Sequence, residues 1–198
     1  MTVAVGVLAS GRGSNLQALI DYFADSPRSS VEIRLVASNR QNAQALDRAR
    51  AASIPAKAFD AADDGEALIS LLIEHGIDLL VLAGYMKRIP PRVVKAYHGR
   101  IVNVHPGLLP DFGGEGMYGS HVHEAVIASG AKTTGVTVHL VDDEFDHGPV
   151  VAQWRIAVLE KDTPESLAER VLEVEHLIYP RAVDMIAALN DRNISADF

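Results

Sequence analysis

Apolar and polar positions fall into short blocks whose period changes in a regular order. Val3–Leu8 is a continuous apolar run, followed by the turn-forming stretch Ala9-Ser10-Gly11-Arg12-Gly13-Ser14. Asn15–Phe23 then places Leu16, Leu19, Ile20 and Phe23 at helical spacing. The alternation repeats through strand Val31–Ala37, alanine-rich helix Asn42–Ala52, short strand Ala56–Phe59 and helix Glu66–His75, then strand Leu79–Ala83. That last run is apolar throughout, as a strand covered on both faces requires. Strand–helix alternation of this kind predicts an α/β fold, a doubly wound and mostly parallel sheet.

The second half is patterned differently. A short helix near Pro91–Tyr97 precedes strand Ile101–His105, and a loop with five glycines runs from Gly107 to Gly119. His121–Ser129 reads as a helix. Thr134–Leu140 alternates Val136, Val138 and Leu140 with Thr137 and His139, which predicts a sheet face meeting something polar. Val150–Val158 is a further strand. Thr163 as N-cap and Pro164 in the first turn open a long helix expected to reach about Leu189, followed by a polar tail expected to fray. No internal repeat or interdomain linker is visible, so residues 1–198 are expected to form one domain.

Composition narrows the class. Apolar residues make up 48% and charged residues 22% of 198, the balance of an ordinary globular chain. No apolar run approaches the ~18 residues of a membrane span. The start, Met1-Thr2-Val3-Ala4-Val5, reads as a first strand and not as a leader. The absence of cysteine excludes disulfides, thiolate metal sites and cysteine nucleophiles, and fits a cytoplasmic location. A net charge of −8 argues against nucleic acid as the main partner, while leaving room for a small anion held by local donors.

Two segments carry candidate chemistry. Gly11-Arg12-Gly13-Ser14-Asn15 lies between a predicted strand and a predicted helix, where small residues and helix N-terminal amides suit a phosphate. A plain tight turn is the alternative, and Ser14 with Gln17 has the spacing of a capping box. A dinucleotide site fits less well, because Leu16 stands where the third glycine belongs and Ser38-Asn39-Arg40 offers no acid for a ribose. The second segment is Asn103-Val104-His105-Pro106. Residues two apart on a strand share a face, so Asn103 and His105 converge at a strand's carboxyl end. A neutral donor beside an imidazole suits acyl transfer through a tetrahedral intermediate. No cysteine and no Gly-x-Ser-x-Gly elbow is present, which favours direct attack by a substrate amine or by water. A satisfied core histidine is the alternative. The run Asp142-Asp143-Glu144-Phe145-Asp146 could supply an acid that raises the pKa of His105, and the pattern alone does not choose among its members. His121, His123, His139 and His147 fit no common zinc spacing, and no metal is expected.

Five ordered segments resemble the phosphoribosylglycinamide formyltransferases, folate-dependent enzymes of purine biosynthesis. They are Val7–Gln17, Leu82-Ala83-Gly84-Tyr85-Met86, Asn103–Pro110, Gly135–His139 with Asp146-His147-Gly148-Pro149, and Glu175-His176-x-x-Tyr179-Pro180. The resemblance implies a Rossmann-like fold whose C-terminal portion is antiparallel, with residues 1–100 as the mononucleotide-binding half and 101–198 as the catalytic half. It implies transfer of a formyl group from 10-formyltetrahydrofolate to glycinamide ribonucleotide. Gly13, Ser14 and Asn15 match the phosphate-holding segment, and Glu175 an acid contacting the same substrate. Met86, Lys87, Arg88 and Ile89 match the lining of the folate pocket. Asn103 matches the residue contacting the formyl group, His105 the catalytic histidine and Asp146 its supporting aspartate. The chain departs from the family at Gly107, where serine is usual, in a longer, glycine-richer loop Asp111–Ser120, and near Gly65, where a folate-contacting arginine is missing. Related hydrolases carry an N-terminal regulatory domain, and methionyl-tRNA formyltransferases a C-terminal RNA-binding domain. This chain is expected to have neither, and to act as a monomer or homodimer on small molecules, without nucleic acid or membrane. The rivals are a formyltetrahydrofolate hydrolase or another formyltransferase, a non-catalytic nucleotide-binding module, and an NAD-dependent oxidoreductase.

Overall fold

The computed structural model describes residues 2–27 and 29–191, so the tail expected to fray lies outside the described residues. Strands β1 (Val3–Leu8), β2 (Val31–Ser38), β3 (Ala56–Ala58), β4 (Leu79–Leu82), β5 (Ile101–His105), β6 (Thr133–Leu140) and β7 (Val150–Ala157) form one sheet. Its order is β3-β2-β1-β4-β5-β6-β7. Pairings through β5 are parallel, and β5–β6 and β6–β7 are antiparallel, so the expected mixed sheet is observed.

Helices cover both faces. On one side lie α1 (Ser14–Ala24), α2 (Gln44–Ala51), α5 (Ser120–Ala128) and the long α6 (Pro164–Asp191). On the other lie α3 (Glu66–Glu74) and α4 (Pro91–Ala96). The odd residues Val3, Val5 and Val7 of β1 enter the first core, whereas Leu8 enters the second. This explains why β1 and β4 read as unbroken apolar runs: each successive side chain meets a different helical layer. Fully burying one such side chain contributes roughly 1.5–3 kcal/mol.

Strand order reverses between β1 and β4, which opens a crevice at their carboxyl ends. Ser10 fixes the strand ends beside that crevice. Its hydroxyl donates to Asn39 Oδ1 (2.7 Å) and accepts from the Met86 N–H (2.9 Å), tying together the ends of three strands. At the neighbouring junction the Tyr179 hydroxyl of α6 reaches the carbonyls of Leu82 (2.8 Å) and Val102 (3.1 Å). The polar side of β6 meets the loop after β5. Thr137 donates to Gly107 O (2.7 Å) and accepts from Leu109 N–H (3.1 Å).

Element ends differ from the sequence reading by a residue or two, as frayed or capped termini do. Thr163 caps α6 as expected, exchanging hydrogen bonds with Ser166. The capping box weighed as the alternative at α1 does not form. Gly13 is the N-cap, in the left-handed region at φ 73°, and Ser14 is already helical. Gln17 instead bonds Asp21 and Arg48. The cause is close packing of the turn on α2: a Cβ on Gly13 would lie 2.8 Å from Ala45 Cβ.

Candidate active site

The crevice is a cavity of about 630 Å³ running from the start of α1 to the loop 141–149. Arg12, Asn15 and Glu175 line one end, and Asn103, His105 and Asp146 line another. Met86, Lys87, Arg88 and Ile89 also line it, with Met86 exposed and Ile89 buried against α4. Gly13 and Ser14, between Arg12 and Asn15 in the turn, do not line it.

The first end is built around an uncapped helix. No side chain caps the N-terminus of α1, and no acid lies in its first turn. Its free amides and helix dipole therefore favour an anion there. Asn15, on α1, donates from Nδ2 to Glu175 Oε2 at 2.6 Å, and its own Oδ1 has no partner among the described residues. Glu175 comes from α6 and is buried. Burial pushes its carboxyl up to about 7, with the Asn15 hydrogen bond pulling the other way. A carboxyl that titrates near neutrality and faces a cavity is suited to recognising a polar ligand group.

The second end is a side-chain cluster. Asn103 and His105 share a face of β5, as the strand period requires, with His105 buried and Asn103 half-buried. His105 Nδ1 lies 3.4 Å from Asp146 Oδ2, and Nε2 lies 2.6 Å from the Phe112 carbonyl. A carbonyl only accepts, so Nε2 carries a proton. Both ring nitrogens thus face acceptors, an arrangement that matches imidazolium. Burial nevertheless dominates and lowers the His105 pKa, with Asp146 and the Phe112 carbonyl opposing it and His139 reinforcing it. As expected, Asp146 acts to raise this pKa, but its effect is smaller than desolvation, so the net shift is downward.

Asp146 is distinguished from its acidic neighbours by direction. The Asp142 carboxylate pairs with His147 at 2.8 Å, and Asp143 offers its backbone carbonyl to the Arg88 guanidinium. Asp146 alone of the run pairs with buried histidines, at 3.4 Å from His105 and 3.6 Å from His139. Burial acts to raise its carboxyl, but the imidazoles, when protonated towards it, and the Gly114 N–H outweigh it, so its pKa lies below the ordinary range. Its backbone is left-handed at φ 54°, a costly conformation for a non-glycine residue and one that concentrates at working sites.

Some participants were not visible in the sequence reading as members of this site. His139, read there as part of a polar strand face and of a family-like segment and weighed as a metal ligand, but given no role in the site, sits on β6 opposite Asn103, and its Nε2 lies 3.1 Å from Asn103 Nδ2. His123, on α5, lines the cavity with Nδ1 buried and without a partner among the described residues. The Phe112 carbonyl comes from the glycine-rich loop, where Gly107 has no room for a side chain: a Cβ would lie 3.1 Å from His105 Nε2. Only Gly107-x5-Gly113-Gly114 signalled that close approach, and glycines alone do not say what they approach.

A doubly wound sheet, an uncapped helix start and an Asn–His–Asp cluster opening on one crevice are the features of a Rossmann-like enzyme fold. The chain belongs to the formyl transferase family, whose pattern it matches over residues 3–183. It is 39% identical over 197 residues to the chloroplastic phosphoribosylglycinamide formyltransferase of Arabidopsis thaliana, covering 96% of this chain and 66% of the relative. The chain thus spans just under two thirds of the plant relatives it matches. It is 36% identical to the phosphoribosylglycinamide formyltransferase of Bacillus subtilis, covering 96% of this chain and 97% of that protein. The crystal structure of the phosphoribosylglycinamide formyltransferase from Anaplasma phagocytophilum superimposes with a TM-score of 0.88 at 41% identity, covering 95% and 88% of the two chains.

Proposed function

We propose that the chain transfers the formyl group of 10-formyltetrahydrofolate to the amine of glycinamide ribonucleotide. The observation that carries this reading is the placement of the Asn103–His105–Asp146 cluster and the uncapped start of α1 on one cavity. A ribonucleotide phosphate at the Gly13-Ser14-Asn15 turn, with Glu175 on its polar groups, would direct the amine towards β5. Met86, Lys87, Arg88 and Ile89 would flank the reduced folate, whose flat ring suits the mixed apolar wall of Leu82, Ile89 and Val141.

The amine nitrogen attacks the formyl carbon and forms a tetrahedral intermediate. The Asn103 amide and the His105 Nε2–H stabilise its oxyanion. The carbon–N10 bond then breaks, N10 takes up a proton and the former amine loses one, with His105 relaying the proton and Asp146 holding the ring. The Nε2–H now donates to Phe112 O, so substrate gains it only by displacing that carbonyl. Residues 1–100 form the mononucleotide-binding half and 101–198 the catalytic half of one domain, with Glu175 reaching back across the division. We read the protein as a cytoplasmic monomer or homodimer acting on small molecules, independent of nucleic acid, membrane or metal.

The test is a formylation assay with both substrates. His105→Ala and Asn103→Ala should each lower kcat by roughly 10²- to 10³-fold. Asp146→Ala should be severe and Asp143→Ala mild. Near-wild-type turnover by the first two variants refutes the assignment. Loss of the formyl group at equal rate without the amine identifies a hydrolase instead.

A further inference from the structure

His139 is buried on β6 and directly opposes Asn103 in the β5–β6 ladder. Its Nδ1 lies 2.9 Å from the Leu140 carbonyl, an obligate acceptor, so Nδ1 carries a proton. The other nitrogen, Nε2, has two neighbours: Asn103 Nδ2 at 3.1 Å and Asp146 Oδ1 at 3.6 Å. Only the first is within hydrogen-bond range. A neutral ring with its proton on Nδ1 leaves Nε2 bare, able to accept from the Asn103 amide and unable to bond Asp146. A proton on Nε2 would reverse this. It would turn the ring's donor towards Asp146 and force the Asn103 amide to present its oxygen to His139.

We infer that His139, in its neutral Nδ1–H form, is a positioning residue that fixes the orientation of the Asn103 amide. One Asn103 N–H is held by His139 Nε2, which commits the amide nitrogen to that side and leaves its second N–H for the cavity. With the amide turned over, Asn103 would present an oxygen lone pair where a donor is needed, and would repel an oxyanion. The inference rests on the proposed role of Asn103 as a donor to the formyl oxygen. The charged and titratable groups facing the ring are Asp146 and Asp142 from the loop after β6, and His105 from β5.

Nitrogen-15 NMR of the protein reads the orientation directly. At pH 7.5 the His139 ring should show a protonated Nδ1 and a bare Nε2, with a scalar coupling across the N–H···N bond to the Asn103 amide. An Nε2-protonated ring, or an imidazolium, overturns the inference. Kinetics then test whether the orientation matters. His139→Leu should lower kcat roughly 10- to 100-fold, a part of the loss expected for a deleted oxyanion donor, with KM for both substrates within about twofold. His139→Gln, whose amide oxygen can accept the same bond, should recover most of that loss; a Gln variant as slow as Leu refutes the idea. In an Asn103→Ala background, His139→Leu should cost nothing further. A full additional loss there overturns the inference while leaving the role of Asn103 intact, whereas a silent Asn103→Ala overturns the proposed function itself. If the Leu variant fails to fold, the Gln variant and the spectrum decide.

Discussion

Glu175→Gln offers a test in which stability and activity move in opposite directions. The Glu175 carboxyl titrates at about 7 in the folded protein against 4.5 for an ordinary glutamate, mainly because it is buried. Below pH 4.5 both folded and unfolded chains hold the proton, and the group is neutral to stability. Between 4.5 and about 7 the unfolded chain releases the proton while the folded chain keeps it, so stability falls as pH rises. At about 1.4 kcal/mol per pH unit the gap amounts to about 3 kcal/mol, fully developed above pH 7. Glutamine removes the ionisation and keeps an oxygen to accept from Asn15 Nδ2. Urea unfolding should therefore show Glu175→Gln more stable than wild type by about 3 kcal/mol at pH 8 and by less than about 1 kcal/mol at pH 5. Activity should fall in the same variant, through KM for the ribonucleotide. Unfolding midpoints that differ by a constant amount across pH, or a variant less stable at pH 8, would refute the reasoning.

Other perturbations isolate single contacts. Tyr179→Phe removes a buried hydroxyl from two carbonyls and should lower unfolding free energy by about 1–3 kcal/mol with an unchanged denaturant slope. Gly107→Ala places a Cβ 2.9 Å from Val122 Cγ1 and 3.1 Å from His105 Nε2. It should cost about 1–3 kcal/mol of stability by overpacking, and the displaced Phe112 carbonyl should appear as a changed His105 ring resonance. Asp146→Asn removes the charge that holds the His105 pKa up against burial. The His105 titration followed by NMR should then move to lower pH; a shift upward would show that the carboxylate does not act on the ring.

What the sequence disclosed was local. Period-two alternation is enough to put Asn103 and His105 on one face, and Thr163-Pro164 is enough to start α6, because both depend on neighbours within a few residues. The pairing of His139 was not legible because it is set by strand register, Asn103 opposite His139 across thirty-six positions, which no periodicity encodes. Asp146 could be picked from its run only through family resemblance, since all four acids look alike until the loop turns one of them inward. The Phe112 carbonyl belongs to every residue type equally and leaves no trace in side-chain chemistry. The failed capping box has the same origin: Ser14 has the right spacing, but the close approach of α2 at Ala45 takes the chain through Gly13 in a left-handed turn. The direction of the His105 shift required knowing how deeply the ring is buried, and an acid nearby in sequence says nothing of depth.

Helix α6 supports the site at two points, one lining the cavity and one buried behind it. Glu175 meets Asn15 at the anion end, and Tyr179, one turn later on the same face, grips the carbonyls that flank Asn103 at the other. The helix is therefore a calliper whose two jaws are a single helical turn apart. Any slip of α6 along its axis would misplace the proposed nucleotide grip and the proposed reacting strand together, by the same distance. Substitutions in its buried face, remote from either ligand, should then alter binding and turnover in concert, and changes that retune one without the other must arise elsewhere in the molecule.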